Sequence, residues 1–157
     1  LESYFNLPVY VKKETAAAAL GEYWLGSFSD TEDLFVINSM KIGLGGGAVI
    51  GGNVYYGFCD GASDIGHITI DPNGRKCKCG DTGCLEAMST GVFIEGYISD
   101  YLRDNAGSVT DEICKKYKNI NIDKIIELAN AQDPLATEAV EAAAKNLSIG
   151  ISSIINL

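Results

Sequence analysis

The chain has 157 residues, 46% of them hydrophobic, which is enough to bury a core and is most simply one domain. Its net charge of −9 excludes a phosphate-binding nucleic-acid surface within these residues, because such contacts need Lys and Arg. No apolar run is long enough to cross a membrane.

In chain order, Pro8-Val9-Tyr10-Val11 predicts a short strand. The alanine-rich stretch from Thr15 to Leu25 predicts a helix, with Thr15 as N-cap and Gly26 as stop signal. Leu34 to Ile37 is a continuous apolar run, the pattern of a strand buried on both faces. The glycine-rich segment Gly43 to Gly52 follows, and Asn53 to Gly57 fits the returning strand of a hairpin. His67 to Ile70 predicts another strand, and Asp71-Pro72-Asn73-Gly74 a turn. From Leu85 the pattern is helical, with Gly91 and Gly96 as weak points. A short helix is expected over 123–130. Asp133-Pro134 then starts a last helix whose face Ala139, Val140, Ala143, Leu147, Ile151 and Ile154 is apolar. Early strands and late helices predict an α/β fold in which helices pack on a mixed sheet. No internal repeat or low-complexity linker is present. The opening at Leu1, and an apolar helical pattern running to Leu157, read as a piece of a longer protein.

The most specific chemistry lies between His67 and Cys84. Cys77, Cys79 and Cys84 share 18 residues with the chain's only histidine. Three thiolates and one imidazole form a closed tetrahedral set for structural zinc. Gly80 and Gly83 permit the tight backbone that convergence of the thiols requires. The odd cysteine count, and the closeness of Cys77 to Cys79, argue against disulfides and for a reducing, cytoplasmic compartment. Cys59 and Cys114, outside the cluster, fit unpaired core cysteines.

Gly66-His67-Ile68 followed by Cys77-x-Cys79-Gly80-x-x-Gly83-Cys84-x-Glu86 resembles the zinc signature of the ROK family of repressors and sugar kinases. Pro8 to Val11 with Ala17 to Glu22 resembles the stretch around that family's catalytic aspartate, and Gly43-Leu44-Gly45-Gly46-Gly47 its second phosphate motif. The resemblance runs through nearly the whole chain. It implies an actin-like, ribonuclease-H-like sugar-kinase fold with a zinc loop, and residues 1–157 as a fragment of one sugar-binding domain. It also implies a cytoplasmic homo-oligomer. The first phosphate motif would precede Leu1 and the adenosine segment would follow Leu157, so ATP and Mg would be cofactors only of a kinase parent and are not bindable in full by these residues.

Departures from the kinase pattern favour a sensor. Where kinases of the family carry Asn-Asp, this chain carries Lys13-Glu14. Glu14 remains a carboxylate and would be catalytic only in a kinase. Its extra methylene displaces the oxygen by roughly 1 Å, enough to cost on the order of a hundredfold in rate. Lys13 either pairs with Glu14 or points to solvent. The phosphate threonine is replaced by Ile42, which has no hydroxyl, beside Lys41, whose charge attracts phosphate. Gly43, Gly45, Gly46 and Gly47 then form a degenerate phosphate loop or simply a hairpin. The sugar-pocket glutamate of the family appears as Asp64. The resemblance implies sugar contacts from Asp64, His67, Glu86 and Lys13, with zinc on His67, Cys77, Cys79 and Cys84. Glu86 also fits an ordinary acidic residue in the first turn of a helix, and Glu22 an exposed helix face. The reading is a sugar-sensing effector portion of a transcriptional regulator, which would meet DNA only through a module outside this chain. The alternative is an ATP-dependent hexose or N-acetylhexosamine kinase.

Overall fold

The structure is a computed structural model that describes residues 1–58 and 61–156. These group into two compact units, one formed by 1–38 with 45–64 and the other by 39–44 with 65–157.

The first unit contains helices α1 (Glu2–Phe5) and α2 (Glu14–Leu25) and strands β1 (Leu34–Ser39), β2 (Leu44–Ile50) and β3 (Asn53–Val54), except for the boundary residues Ser39 and Leu44. The sheet order is β1-β2-β3, with β2 and β3 antiparallel in the register Val49 to Val54 and Ile50 to Asn53. The predicted hairpin is therefore present, with Gly51 and Gly52 at its turn at φ of 55° and 76°, whereas Gly45, Gly46 and Gly47 lie inside strand β2. A side chain shows why. A Cβ at Gly47 would stand 2.1 Å from the Thr15 carbonyl oxygen and 2.9 Å from the Ala19 Cβ, and one at Gly46, on the other face, 2.8 Å from the Phe35 ring. The alternation along the strand thus lets α2 close onto one face of β2 and Phe35 onto the other. Ala16, Ala19, Ala48 and Val49 are buried there.

Three expectations for this unit need correction. Residues 8–13 are irregular and exposed and do not form a strand. An apolar sequence cannot become a strand without a ladder partner, and the Val9 N–H instead donates to Glu2 Oε1 at 2.9 Å. Helix α2 begins one residue early, with Lys13 and not Thr15 at the N-cap and no side-chain cap bond. β1 is half-buried, not buried on both faces.

The second unit contains the 3₁₀ turn Ile65–His67 and helices α3 (Leu85–Ser89), α4 (Gly91–Asp104), α5 (Asp111–Lys116), α6 (Ile122–Asn130) and α7 (Pro134–Ile155). The expected strand over 67–70 is replaced by that turn, closed by Ile68 N–H donating to the Ile65 carbonyl at 3.1 Å, and by a single bridge between Thr69 and Cys84. The helical stretch after Leu85 breaks at Thr90, beside the weak point Gly91. Phe93, Ile94, Ile98, Tyr117, Ile125, Ala136, Ala139 and Ala143 form the core between α4, α6 and α7. On the predicted α7 face, Ala139 and Ala143 are buried, whereas Val140, Leu147, Ile151 and Ile154 are half-buried. Helix α3 seats on α7 where Gly150 leaves room for Leu85, since a Cβ there would fall 2.2 Å from Leu85 Cδ2.

Asp133 caps α7 as expected, accepting from Ala136 N–H at 3.0 Å, and also accepts from the Tyr117 hydroxyl and Lys116 ammonium. Burial opposes its ionisation, but Lys116 and Tyr117 outweigh it and hold the carboxyl down at about 2, against an ordinary 3.8. A depressed folded value stabilises the protein above the unfolded value and is lost as pH falls from about 4 through about 2. The Asp133 side chain is 11% exposed. Asp133→Asn is expected to cost roughly 2 kcal/mol at pH 7 and almost nothing near pH 2, measured by urea unfolding at the two pH values.

Candidate metal centre and neighbouring carboxylate

Residues 75–84 fold into a tight loop. Gly83 N–H donates to the Arg75 carbonyl at 2.8 Å, Cys77 N–H to the Asp81 carbonyl at 2.8 Å, and Gly80 N–H to the Cys77 carbonyl at 3.1 Å. Gly80 and Gly83 adopt φ of 105° and 73°, and a Cβ at Gly83 would fall 1.5 Å from the Asp71 carbonyl oxygen. Only glycine meets both demands. The 3₁₀ turn presents His67 to the same place.

The outcome is convergence of all four predicted ligands. The donor atoms of His67, Cys77, Cys79 and Cys84 lie within 4.8 Å of one another. Cys79 Sγ is 3.6 Å from Cys84 Sγ, and Cys77 Sγ is 3.8 Å from His67 Nδ1. A tetrahedron with metal–sulfur bonds of about 2.3 Å has edges of about 3.8 Å, so the four residues fit such an ion. The cysteines are free thiols. Burial, reinforced by the neighbouring Cys79 and Cys77, pushes the Cys84 thiol up to about 12. At the exposed rim, the Asp81 backbone N–H and then the Cys77 thiol lower Cys79. A buried thiolate needs a positive partner, which a thiophilic divalent cation provides. Cys114 is exposed on α5, a helix with no buried residue, and is not the core cysteine expected; Cys59 lies outside the described residues.

Glu86 sits in the first turn of α3, two residues past Cys84, and is 8% exposed. Its Oε2 accepts from Leu44 N–H at 3.1 Å and its Oε1 pairs with Lys78 Nζ at 3.1 Å. Both partners escaped the sequence reading. The Leu44 contact spans 42 positions and uses a backbone group, while Lys78 is simply the residue between two cysteines. Glu86 lines a cleft of about 360 Å³ with Ile42, Arg75, Lys78, Thr90 and Phe93. His67 is exposed.

The remaining candidates fall elsewhere. Lys13 Nζ pairs with Asp64 Oδ2 at 3.2 Å, so it neither meets Glu14 nor points free into solvent. Glu14 is exposed in the first turn of α2, where the helix dipole favours an acid, and Glu22 is exposed on the same helix. Lys41 Nζ pairs with Glu95 Oε1 at 2.8 Å, and Ile42 is 66% exposed. Gly43 precedes β2, and Gly45, Gly46 and Gly47 lie within it.

The ROK family matches residues 1–157. This chain belongs to the ROK family. It is 32% identical over 157 residues to a glucokinase of Halalkalibacterium halodurans, covering 99% of this chain and 47% of that one. It is 31% identical over 158 residues to the DNA-binding transcriptional dual regulator NagC of Escherichia coli K12, covering 100% of this chain and 37% of NagC. A crystal structure of a ROK family transcriptional regulator, a homolog of the E. coli MLC protein, superposes with a TM-score of 0.82 at 32% identity, over 99% of this chain and 38% of that one. This ROK chain therefore spans less than half the length of these relatives, and the family includes both regulators and kinases. No helix among the described residues is long and apolar enough to cross a membrane.

Proposed function

We propose that this chain is the effector-binding part of a ROK transcriptional regulator of carbohydrate metabolism, sensing a hexose or amino sugar and braced by structural zinc on His67, Cys77, Cys79 and Cys84. The observation that carries the regulator reading lies at 41–42. The residue in place of the kinase threonine is Ile42, without a hydroxyl, and the adjacent Lys41 ammonium is already paired with Glu95. Neither side chain is left to hold a transferred phosphoryl group.

Zinc, when bound, supplies the positive charge that compensates the thiolates and fixes the loop. With Nδ1 turned to the thiols, His67 keeps Nε2 for a sugar hydroxyl. Glu86, buried and paired with Lys78, offers a directional acceptor for a second hydroxyl. In the first unit, Asp64 and Lys13 are candidate polar contacts already ordered against each other. Sugar binding would shift the population of states presented by a DNA-binding module outside this chain, in proportion to its differential affinity for them.

The second reading, a hexose or N-acetylhexosamine kinase using ATP and Mg, is favoured by one observation: Glu14 keeps an exposed carboxylate where the family's catalytic base stands. One experiment separates the two. Full-length zinc-loaded protein is titrated calorimetrically with a panel of hexoses and amino sugars, and operator affinity and ADP release are followed with each. A sugar that changes operator affinity without ADP release is expected. Sugar-dependent ADP release that Glu14→Gln abolishes would establish the kinase instead, and no sugar binding at all would sink both.

A further inference from the structure

Lys78 occupies a position that its sequence neighbours explain only in part. It stands between two candidate ligands, Cys77 and Cys79, in a turn closed by the Gly80-to-Cys77 and Cys77-to-Asp81 backbone bonds. Its side chain leaves that turn and reaches two distant segments. Nζ lies 3.1 Å from Glu86 Oε1 on α3 and donates to the Ile42 carbonyl at 3.4 Å, in the segment 39–44. That same segment sends Leu44 N–H to the other oxygen of Glu86.

A buried carboxylate is stable only when its oxygens are engaged, and the cost of leaving one unpaired is large. Among the described residues, the cation at Glu86 Oε1 is Lys78. The Glu86 side chain is 10% exposed whereas that of Lys78 is 67% exposed. The pair therefore has a fixed, buried end and an open end at the cleft.

We infer that Lys78 is a positioning residue: a strut through which the order of the metal loop is passed to the Glu86 carboxylate and to the 39–44 segment. Because its Cα lies between two ligating cysteines, closing the loop around an ion sets where the ammonium can reach. The ammonium in turn sets the rotamer of Glu86 and holds the acceptor that Leu44 N–H uses. A turn residue that pointed to solvent would leave the carboxylate tied to the metal site only through the backbone between Cys84 and Glu86. Here the Lys78 side chain joins them as well. The consequence for ligand affinity rests on the reading above that Glu86 meets the sugar; the strut itself does not.

The test uses the full-length protein as wild type, Lys78→Met and Lys78→Arg. Three quantities are measured: zinc content by elemental analysis, hydrogen exchange at the Leu44 amide, and sugar affinity by calorimetry. Lys78→Met keeps most of the side-chain length and removes the charge. It is expected to retain its zinc and to melt a few degrees lower while Leu44 exchange accelerates about tenfold or more, beyond any change at the core amides of α7, and Lys78→Arg is expected to restore protection. Chelation of zinc from the wild type should accelerate Leu44 exchange, and should do so by a smaller factor in Lys78→Met, where the strut is already cut. Unchanged Leu44 exchange in Lys78→Met would overturn the strut, as would loss of zinc in that variant, which would make Lys78 a part of loop folding. If wild-type protein binds no sugar, the sugar reading fails while Leu44 exchange still judges the strut.

Discussion

Cys84→Ser in the full-length protein is expected to lose bound zinc and to destabilise the fold by about 3–5 kcal/mol. Cys84 is fully buried and is the candidate ligand tied most directly into regular structure. Its backbone bridges to Thr69, its carbonyl accepts from Met88 N–H at 3.1 Å, and it immediately precedes α3. Serine offers a harder oxygen on a shorter bond and leaves a buried hydroxyl among the remaining thiols. The expected loss is smaller than the roughly 10–16 kcal/mol with which zinc folds isolated finger peptides. Here α3 is also held by Leu85 against Gly150 and by Asn146 Nδ2 donating to the Met88 carbonyl at 2.6 Å. Elemental analysis and urea unfolding, with and without chelator, measure both effects. Cys114→Ser, exposed on α5, should change neither. Retention of stoichiometric metal in Cys84→Ser would remove this cysteine from the ligand set.

Glu86→Gln is expected to reduce sugar affinity by about 10–100-fold with little change in melting temperature. The amide carbonyl can still accept from Leu44 N–H, so the fold keeps that tie. What is lost is charge: the amide NH₂ faces the Lys78 ammonium, and a sugar hydroxyl loses a charged acceptor, worth about 1.5–3 kcal/mol. Calorimetry with the sugar that the wild type binds best gives the answer. An unchanged affinity would return Glu86 to the simpler role of a buried first-turn acid that accepts from the 39–44 segment.

The convergence of the four candidate metal ligands was legible because their chemistry is local. Three cysteines, one histidine and three glycines within 18 residues leave few ways to satisfy the thiols, and the loop takes the one available. The Asp133-Pro134 start of α7 was equally plain, since a cap and a first-turn proline act on their own backbone. The glycine run was different. Its composition fits a turn, a phosphate loop or a strand, and the packing of Thr15, Ala19 and Phe35 against its missing side chains selected the strand. Lys13 was open between two partners and took a third, Asp64, 51 positions away.

Sequence alone determined the family, the four residues that converge as a candidate metal site and most of the helices, because each rests on residues that are near one another in the chain. Tertiary structure decided the strand that the glycines build, the irregular course of 8–13, and the partners of Lys13, Lys41 and Glu86. These depend on which distant groups arrive to fill a space or satisfy a charge, and no local pattern encodes that arrival. Glu86 shows both. Its place two residues after Cys84 is written in the motif, while the Leu44 amide and Lys78 ammonium that hold it come from the fold.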